Sequence, residues 1–359
     1  MVRRLEAGGG DPGRVHTEGR NARAVVEDAR EAVASLLGAR SREVVFTSGA
    51  TESINAATWG AVRAGVPGAA VLAADVEHSA VRDSSARLAP VVPVPVDSVG
   101  RIDPTAVEDA VARARREHGA VALVHCQWAN HEVATLQPVA EVVEVAHRNG
   151  ALIHVDAAAA AGHVDVDFHA SGADLMSVSA HKLGGPPGCG ALLVRRGLRI
   201  EPLLLGGDQE RARRAGLEDV PAVAGFGVAA RLLASGGLEG EADSALRFTT
   251  DALNAARAVD GVDAYGDVER RVPHIICFGV QGVEAEAVVL GLDRAGVAVH
   301  SGSACSSESL EPSAVLAAMG VDADRSVRLS VGWSTSEADI GTFAEAFPRV
   351  VEGLRALRG

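Results

Sequence analysis

The sequence predicts an α/β protein: a mainly parallel central sheet flanked by helices, followed by a smaller C-terminal α+β domain. Three observations carry this. At 359 residues and 47% apolar, the chain is long enough for two or three packed cores and too apolar for extended disorder. Short runs of Val, Ala, Leu and Ile without polar alternation recur between segments of helical spacing, as strands buried on both faces do. Near residue 240 the texture changes to short strands separated by single helices. The domain boundaries are therefore placed at 1–240 for a large domain and 241–359 for a small one.

The elements follow in order. Ala24, Val25, Ala29, Ala32, Val33, Leu36 and Leu37 recur at helical spacing and predict a helix from Arg20 to Leu37, and Val44-Val45-Phe46 predicts a strand. A helix follows Thr51, and strands follow at 69–73 and 91–96. Asp103-Pro104 supplies a cap and a first-turn proline for the next helix. Runs at 120–124, 151–155, 175–178 and 191–194 complete the buried strands. A Gly/Ala/Arg-rich stretch at 206–240 interrupts the alternation, and a helix is predicted at 242–259. Beyond it, strands at 274–280, 297–299 and 326–331 alternate with helices at 284–295, 312–319 and 337–357.

Charge narrows the function classes. Acidic residues number 47 against 34 basic ones, for a formal charge of -13. No block of like charges interrupts the chain, so neither nucleic acid nor an anionic membrane is expected as a direct partner. Met1–Arg4 is basic but runs into Leu-Glu-Ala-Gly-Gly-Gly without the apolar core of a signal peptide. Four cysteines, Cys126, Cys189, Cys277 and Cys305, have no Cys-x-x-Cys spacing, which predicts free thiols in a reducing cytoplasm. His125, Cys126 and His154 lack compact ligand spacing, so no metal site is expected.

The basic residues are 33 arginines and one lysine, Lys182. Arginine replaces lysine in surface charge roles but does not deprotonate to attack a carbonyl, so a Schiff base requires the amine. Lys182 stands in Ser179-Ala-His-Lys-Leu-Gly-Gly-Pro-Pro-Gly, a turn-rich exit from a strand where open α/β sheets bind ligands. Drift to a single lysine is the competing reading. Asp156 ends the strand Ala151-Leu-Ile-His-Val-Asp, where it suits either a pyridinium nitrogen or a helix cap. In Val44-Val-Phe-Thr-Ser-Gly-Ala-Thr-Glu-Ser a strand turns through Gly49 into a helix, whose first N–H groups at Ala50 and Thr51 suit a phosphate or an ordinary cap. Cys305 lies in His300-Ser-Gly-Ser-Ala-Cys-Ser-Ser-Glu-Ser-Leu-Glu-Pro-Ser, small polar residues that predict an open, mobile connection. The other three cysteines read as small core residues, so Cys305 is the candidate reactive thiol.

The order of these pieces resembles the cysteine desulfurases of the class V aminotransferase family, pyridoxal-phosphate enzymes of fold type I. The resemblance runs from about Asp11 to Leu357. Its most specific parts are Thr47-Ser-Gly-Ala-Thr-Glu-Ser, Glu77-His78, Asn130-His-Glu-Val, His154-Val-Asp156, Ser179-Ala-His-Lys182, Gly188-Cys-Gly-Ala-Leu-Leu-Val-Arg-Arg, Ser301-Gly-Ser-Ala-Cys305 with Leu310-Glu-Pro-Ser, and Val327-Arg328-Leu-Ser. The Ser-Gly-Ser-Ala-Cys form resembles the subgroup with a long cysteine loop, which feeds iron–sulfur assembly or thiolation pathways.

What the resemblance implies is specific. Lys182 would hold pyridoxal 5'-phosphate covalently and move protons, His78 would stack on its ring, and Asp156 would keep the ring nitrogen protonated. Ala50, Thr51, Ser179 and His181 would bind the phosphate. Asn130 would lie near the cofactor hydroxyl or the substrate carboxylate, and Arg328 would pair with that carboxylate. Cys305 would take sulfur from L-cysteine as a persulfide, releasing L-alanine, and pass it to an acceptor protein, a scaffold or a thiolation enzyme; the enzyme would be a homodimer. The alternatives are another C–S or C–Se lyase on the same scaffold, or a non-catalytic sulfur-transfer scaffold.

Four departures from the family pattern stand out. The opening strand and its Ala-Thr-Thr-Pro-like segment have no counterpart, so an N-terminal family segment is expected to be missing. Ala159 stands where a glutamine bonds the cofactor's phenolic oxygen, Leu217 where a threonine reaches the partner subunit's phosphate, and His131 where a second asparagine follows Asn130.

Overall fold

The computed structural model describes residues 1–6, 10–302 and 312–357. Cys305 lies outside the described residues. The chain divides into two compact units: 1–94, 103–128 and 138–238 form the first, and 95–102, 129–137 and 239–359 the second.

The first unit runs α1 (Val2–Glu6), α2 (Thr17–Leu36), β1 (Val44–Thr47), α3 (Ala50–Ala64), β2 (Ala70–Ala74), α4 (Ser79–Leu88), β3 (Val91–Val94), α5 (Pro104–His118), β4 (Val121–Gln127), α6 (Val139–Arg148), β5 (Leu152–Asp156), α7 (Phe168–Ser171), β6 (Leu175–Ser179), β7 (Gly190–Val194), α8 (Gln209–Ala212) and α9 (Val220–Leu232). Among the described residues its seven strands order as β1-β7-β6-β5-β4-β2-β3. Strands β3, β2, β4, β5 and β6 are parallel, and β7 runs antiparallel to both β6 and β1. Because β7 reverses twice, β1 points the same way as β6, and their C-terminal ends open on one edge.

Local chemistry explains the boundaries. Asp103 accepts the N–H of Thr105 with Pro104 in the first turn, as predicted, and His78 caps α4 by accepting the N–H of Ala80 on Nδ1 at 3.0 Å. Strand β4 extends past the predicted 120–124 to Gln127, because its polar His125 and Gln127 find partners inside the sheet. The Gly/Ala/Arg-rich stretch, read as an interruption, contains α9. That helix crosses α2 so closely that a Cβ on Gly227 would meet the Cα of Ala29 at 2.5 Å. Its small residues are a packing surface, not a linker. Among the described residues, the helical run Val220–Arg257 is the one long and apolar enough, by length and composition, to cross a membrane. In its first part Phe226 and Ala230 are fully buried.

The second unit contains α10 (Leu238–Arg257), β8 (Val262–Tyr265), β9 (Ile275–Val280), α11 (Ala285–Arg294), β10 (His300–Ser301), α12 (Ala314–Ala318), β11 (Ser326–Ser330) and α13 (Glu337–Ala356). Its antiparallel sheet orders as β10-β11-β9-β8. Phe278, Phe343 and Phe347 centre its core. The strand predicted at 297–299 begins instead at His300, where pairing to Arg328 starts. The edge strand β8 escaped prediction, being short and only half-buried.

Candidate active site

The open edge of the first unit's sheet is built as a row. Thr47 of β1 and Ser179 of β6 both stand opposite Gly190 of β7, and Asp156 of β5 stands between Ser177 of β6 and Gln127 of β4. A Cβ on Gly190 would lie 2.6 Å from the Cα of Gly49. Only glycine lets the turn before α3 press onto β7.

That turn delivers a helix N-terminus. Gly49 is the N-cap of α3 and brings no side chain to it, so the helix starts at Ala50 and Thr51 without a side-chain cap. Glu52 secures the turn: it accepts the N–H of Ser48 at 2.8 Å and pairs with Arg214 at 2.8 and 3.2 Å. Burial alone would push this carboxyl up, but the bonds from Arg214 and Ser48 outweigh it and hold Glu52 below the usual range. Ser179 Oγ stands 3.8 Å from the position of a Cβ on Gly49 and 2.9 Å from His181 Nδ1. Burial, then the charge of Lys182, push His181 down, so its ring is neutral at pH 7.

Lys182 follows in the one-turn helix Ala180–Leu183, which Gly184 ends at φ 82°. Its side chain is exposed, and its carbonyl accepts from His163 Nε2 at 2.8 Å. Asp156 is 8% exposed, and its Oδ1 accepts both Ser177 Oγ and the N–H of Ala158 at 3.0 Å. Both bonds fall on one oxygen, Oδ1. His78 and Thr51 line one open cavity of about 430 Å³ with Asn55, Trp59 and Arg87. Since His78 Nδ1 accepts the cap bond, its neutral ring carries the proton on Nε2.

The structure therefore brings Ala50, Thr51, His78, Asp156, Ser179, His181 and Lys182 into the first unit. Asn130 and Arg328 belong to the second. Asn130 is fully buried and its Oδ1 accepts the N–H groups of Glu132 and Val133, each at 2.8 Å, shaping the loop in which Ala134 takes φ 68°. Arg328, on β11, donates to the carbonyl of His131 at 3.1 Å. Ala159 is buried, and Leu217 is 64% exposed.

Cys126, Cys189 and Cys277 are buried and free. Burial pushes the thiols of Cys189 and Cys277 up to about 12 and that of Cys126 well above its ordinary value, so all three stay neutral and unreactive. Three polar residues of the site carried no role in the sequence reading. Ser177 could have been found, because strand alternation puts it on the face of Ser179; Gln127 ends β4 and Glu77 lies in the turn after β2, and only the tertiary packing shows that they meet.

A family model for aminotransferase class-V matches residues 5–343. The IscS-like cysteine desulfurase of Mycobacterium tuberculosis is 41% identical, covering 96% of this chain and 90% of its own length. Cysteine desulfurase IscS 1 of Archaeoglobus fulgidus is 38% identical, covering 97% and 91%. The solved structure of a NifS-like protein superposes with a TM-score of 0.87 at 29% identity, covering 96% of this chain and 92% of the other. With the fold, the sequence and the family model agreeing over almost its whole length, the chain belongs to the class-V aminotransferases, on their cysteine desulfurase branch.

Proposed function

We propose that this enzyme removes sulfur from L-cysteine, using pyridoxal 5'-phosphate held by Lys182, and carries the sulfur as a persulfide on Cys305. The observation that carries the reading is the convergence, on one sheet edge, of the chain's single lysine, an acid with one oxygen unspent, and a helix N-terminus without a side-chain cap.

The residues fit the cofactor group by group. A phosphate needs N–H and hydroxyl donors, which Ala50, Thr51, Ser179 and His181 offer around the Gly49–Gly190 contact. A ring nitrogen needs an anion, and Asp156 Oδ2 faces that need. An aldehyde needs an amine, and Lys182 is the one side chain able to supply it. When bound, pyridoxal phosphate supplies an electron sink that loosens bonds at the substrate's α and β carbons.

The chain's own groups do the rest. Lys182 Nζ would hold the cofactor and would move a proton at the substrate's α carbon. His78 covers the ring. Arg328 orients the substrate carboxylate through its planar guanidinium, with Asn130 shaping the adjoining loop. The Cys305 thiolate attacks the substrate sulfur: an S–S bond forms as the Cβ–S bond breaks, the electron pair stays with carbon, and protonation there gives L-alanine. With the other three thiols buried and neutral, Cys305 is the nucleophile this chain can offer.

The reading extends to context. Sulfur passes to an acceptor protein, a scaffold of iron–sulfur assembly or a thiolation enzyme. Three buried free thiols suit a reducing cytoplasm. Exposed Leu204, Leu205 and Leu217, with the first tied to Ala215 by a backbone bond, suit a homodimer face. The deciding experiment measures visible absorbance, sulfide and alanine for wild type, Lys182→Ala and Cys305→Ser. Lys182→Ala loses the cofactor band; Cys305→Ser keeps it and loses desulfuration. Equal sulfide release by Cys305→Ser and wild type sinks the persulfide route.

A further inference from the structure

Glu77 follows β2 immediately before His78 and has no part in the reaction described above. Its side chain is 1% exposed. Oε1 accepts the N–H of Gln127 at 2.8 Å, and Oε2 is buried without a hydrogen-bond partner. A buried carboxylate with a bare oxygen is costly, whereas a neutral carboxylic acid carries its proton there at much smaller expense. Gln127 is also the register partner of Asp156, so one residue of β4 separates the two acids across the row. Asp156 from β5 and the thiol of Cys126 from β4 are the titratable groups whose charge Glu77 feels, and the thiol is neutral. Two carboxylates here would repel across an interior that water does not screen.

We propose that Glu77 is a positioning residue for the ring-nitrogen site: in the cofactor-free protein it is a neutral acid that carries its proton on Oε2, so that no second carboxylate charge stands beside Asp156. The inference rests on the assignment of Asp156 to the ring nitrogen. The same direction emerges from electrostatics, since burial first and the charge of Asp156 second push Glu77 up to about 8. A pyridinium cation arriving beside Asp156 favours a second negative charge nearby. Cofactor binding therefore draws the proton off Glu77, and by linkage the cofactor binds more tightly as pH rises through that range.

The test measures pyridoxal 5'-phosphate affinity of the stripped wild type and of E77Q over roughly two units either side of 8. Glutamine keeps an acceptor for Gln127 but cannot ionise. Lys182 and the cofactor phosphate titrate alike in both proteins, so the ratio of their affinities isolates Glu77. The expected ratio moves in favour of wild type by about tenfold from the acid to the alkaline end. A ratio constant with pH overturns the inference. The wild type alone supplies a second measurement, the infrared carbonyl band of a neutral carboxylic acid at pH 7 that diminishes when the cofactor is added. Absence of that band overturns the inference whatever becomes of E77Q. A wild type that binds no pyridoxal phosphate overturns the assignment of Asp156 itself, and that failure is read before any variant is made.

Discussion

The Nδ1 atoms of His125 and His154 lie 2.9 Å apart in the interior of the first unit's sheet, where β4 and β5 hold the two residues in register. One ring must donate and the other accept. His125 Nε2 is 3.4 Å from Thr58 Oγ1, which itself donates to the carbonyl of Ile54, whereas His154 Nε2 is buried with no partner. The arrangement that strands no N–H puts the shared proton on His154 and the other on His125 Nε2. Both rings are neutral: burial pushes His125 down to about 3, and burial, then the repulsion a protonated His125 would exert, push His154 well below its ordinary value. In the unfolded chain both protonate below about 6.5. The unfolded state then binds more protons, so stability is full above that pH and falls as pH drops toward 3. Urea unfolding between these limits should show this pair contributing up to about 1.4 kcal/mol per pH unit per histidine. His125→Gln should remove about one proton from the slope; an unchanged slope would show that the pair does not titrate as described.

A second prediction concerns the buried ion pair that braces β1. Arg30 and Glu210 are bonded twice, at 2.6 and 2.7 Å, with both side chains 1% exposed, and Glu210 also accepts the N–H of Phe46 at 2.8 Å. Glu210, Arg211 and Ala212 take φ of 48°, 61° and 60°, a left-handed turn that residues with a Cβ adopt at a cost. The ion pair holds that turn closed. Arg30→Met should destabilise the protein by ~3–5 kcal/mol, because it leaves an uncompensated buried carboxylate. Arg30→Met with Glu210→Gln should recover part of the loss. Denaturant midpoints of the single and double variants check both statements, and a double variant no better than the single would contradict the stranded-charge account.

Much of this site was legible from residues alone. A lysine amid 33 arginines, an acid at a strand mouth and a glycine turn into a helix are short-range signals, because strand ends and helix starts are locally encoded. What remained hidden depends on register between distant segments. That Glu77 meets Gln127, that Arg30 meets Glu210 across 180 residues, and that 129–137 joins the second unit are outcomes of tertiary packing. The helix α9 was missed for a related reason: a Gly/Ala surface reads as weak propensity until the close crossing with α2 explains it.

A third prediction follows from Ser177. Its hydroxyl donates to Asp156 Oδ1 at 3.0 Å from within the sheet and fixes the carboxyl's orientation. Ser177→Ala removes a hydrogen bond to a charged group, worth ~1.5–3 kcal/mol. Cofactor affinity should fall by about tenfold or more, while Asp156→Ala, which removes the anion altogether, should cost more still. Equilibrium titration of pyridoxal phosphate into the stripped variants measures both. Affinity of Ser177→Ala equal to wild type would mean that Ala158 alone suffices to hold Asp156.

The last prediction turns on charge against nucleophilicity at Lys182. The residue is exposed, lies in a one-turn helix closed by Gly184, and has no second side-chain amine to replace it. Lys182→Arg keeps the positive charge beside His181, so both the folding stability and the electrostatic attraction for phosphate should survive. Arginine carries no free amine at working pH, so covalent attachment cannot. Borohydride reduction of the loaded wild type followed by peptide mass analysis should place the cofactor on the peptide containing residue 182. The arginine variant should bind the cofactor reversibly, incorporate none after reduction, and keep an unfolding free energy within about 0.5 kcal/mol of wild type, as surface substitutions do. Labelling of any other peptide would displace Lys182 from its role. Label at residue 182 in wild type, combined with weak reversible binding to Lys182→Arg, would separate what the amine contributes from what the phosphate turn and Asp156 contribute.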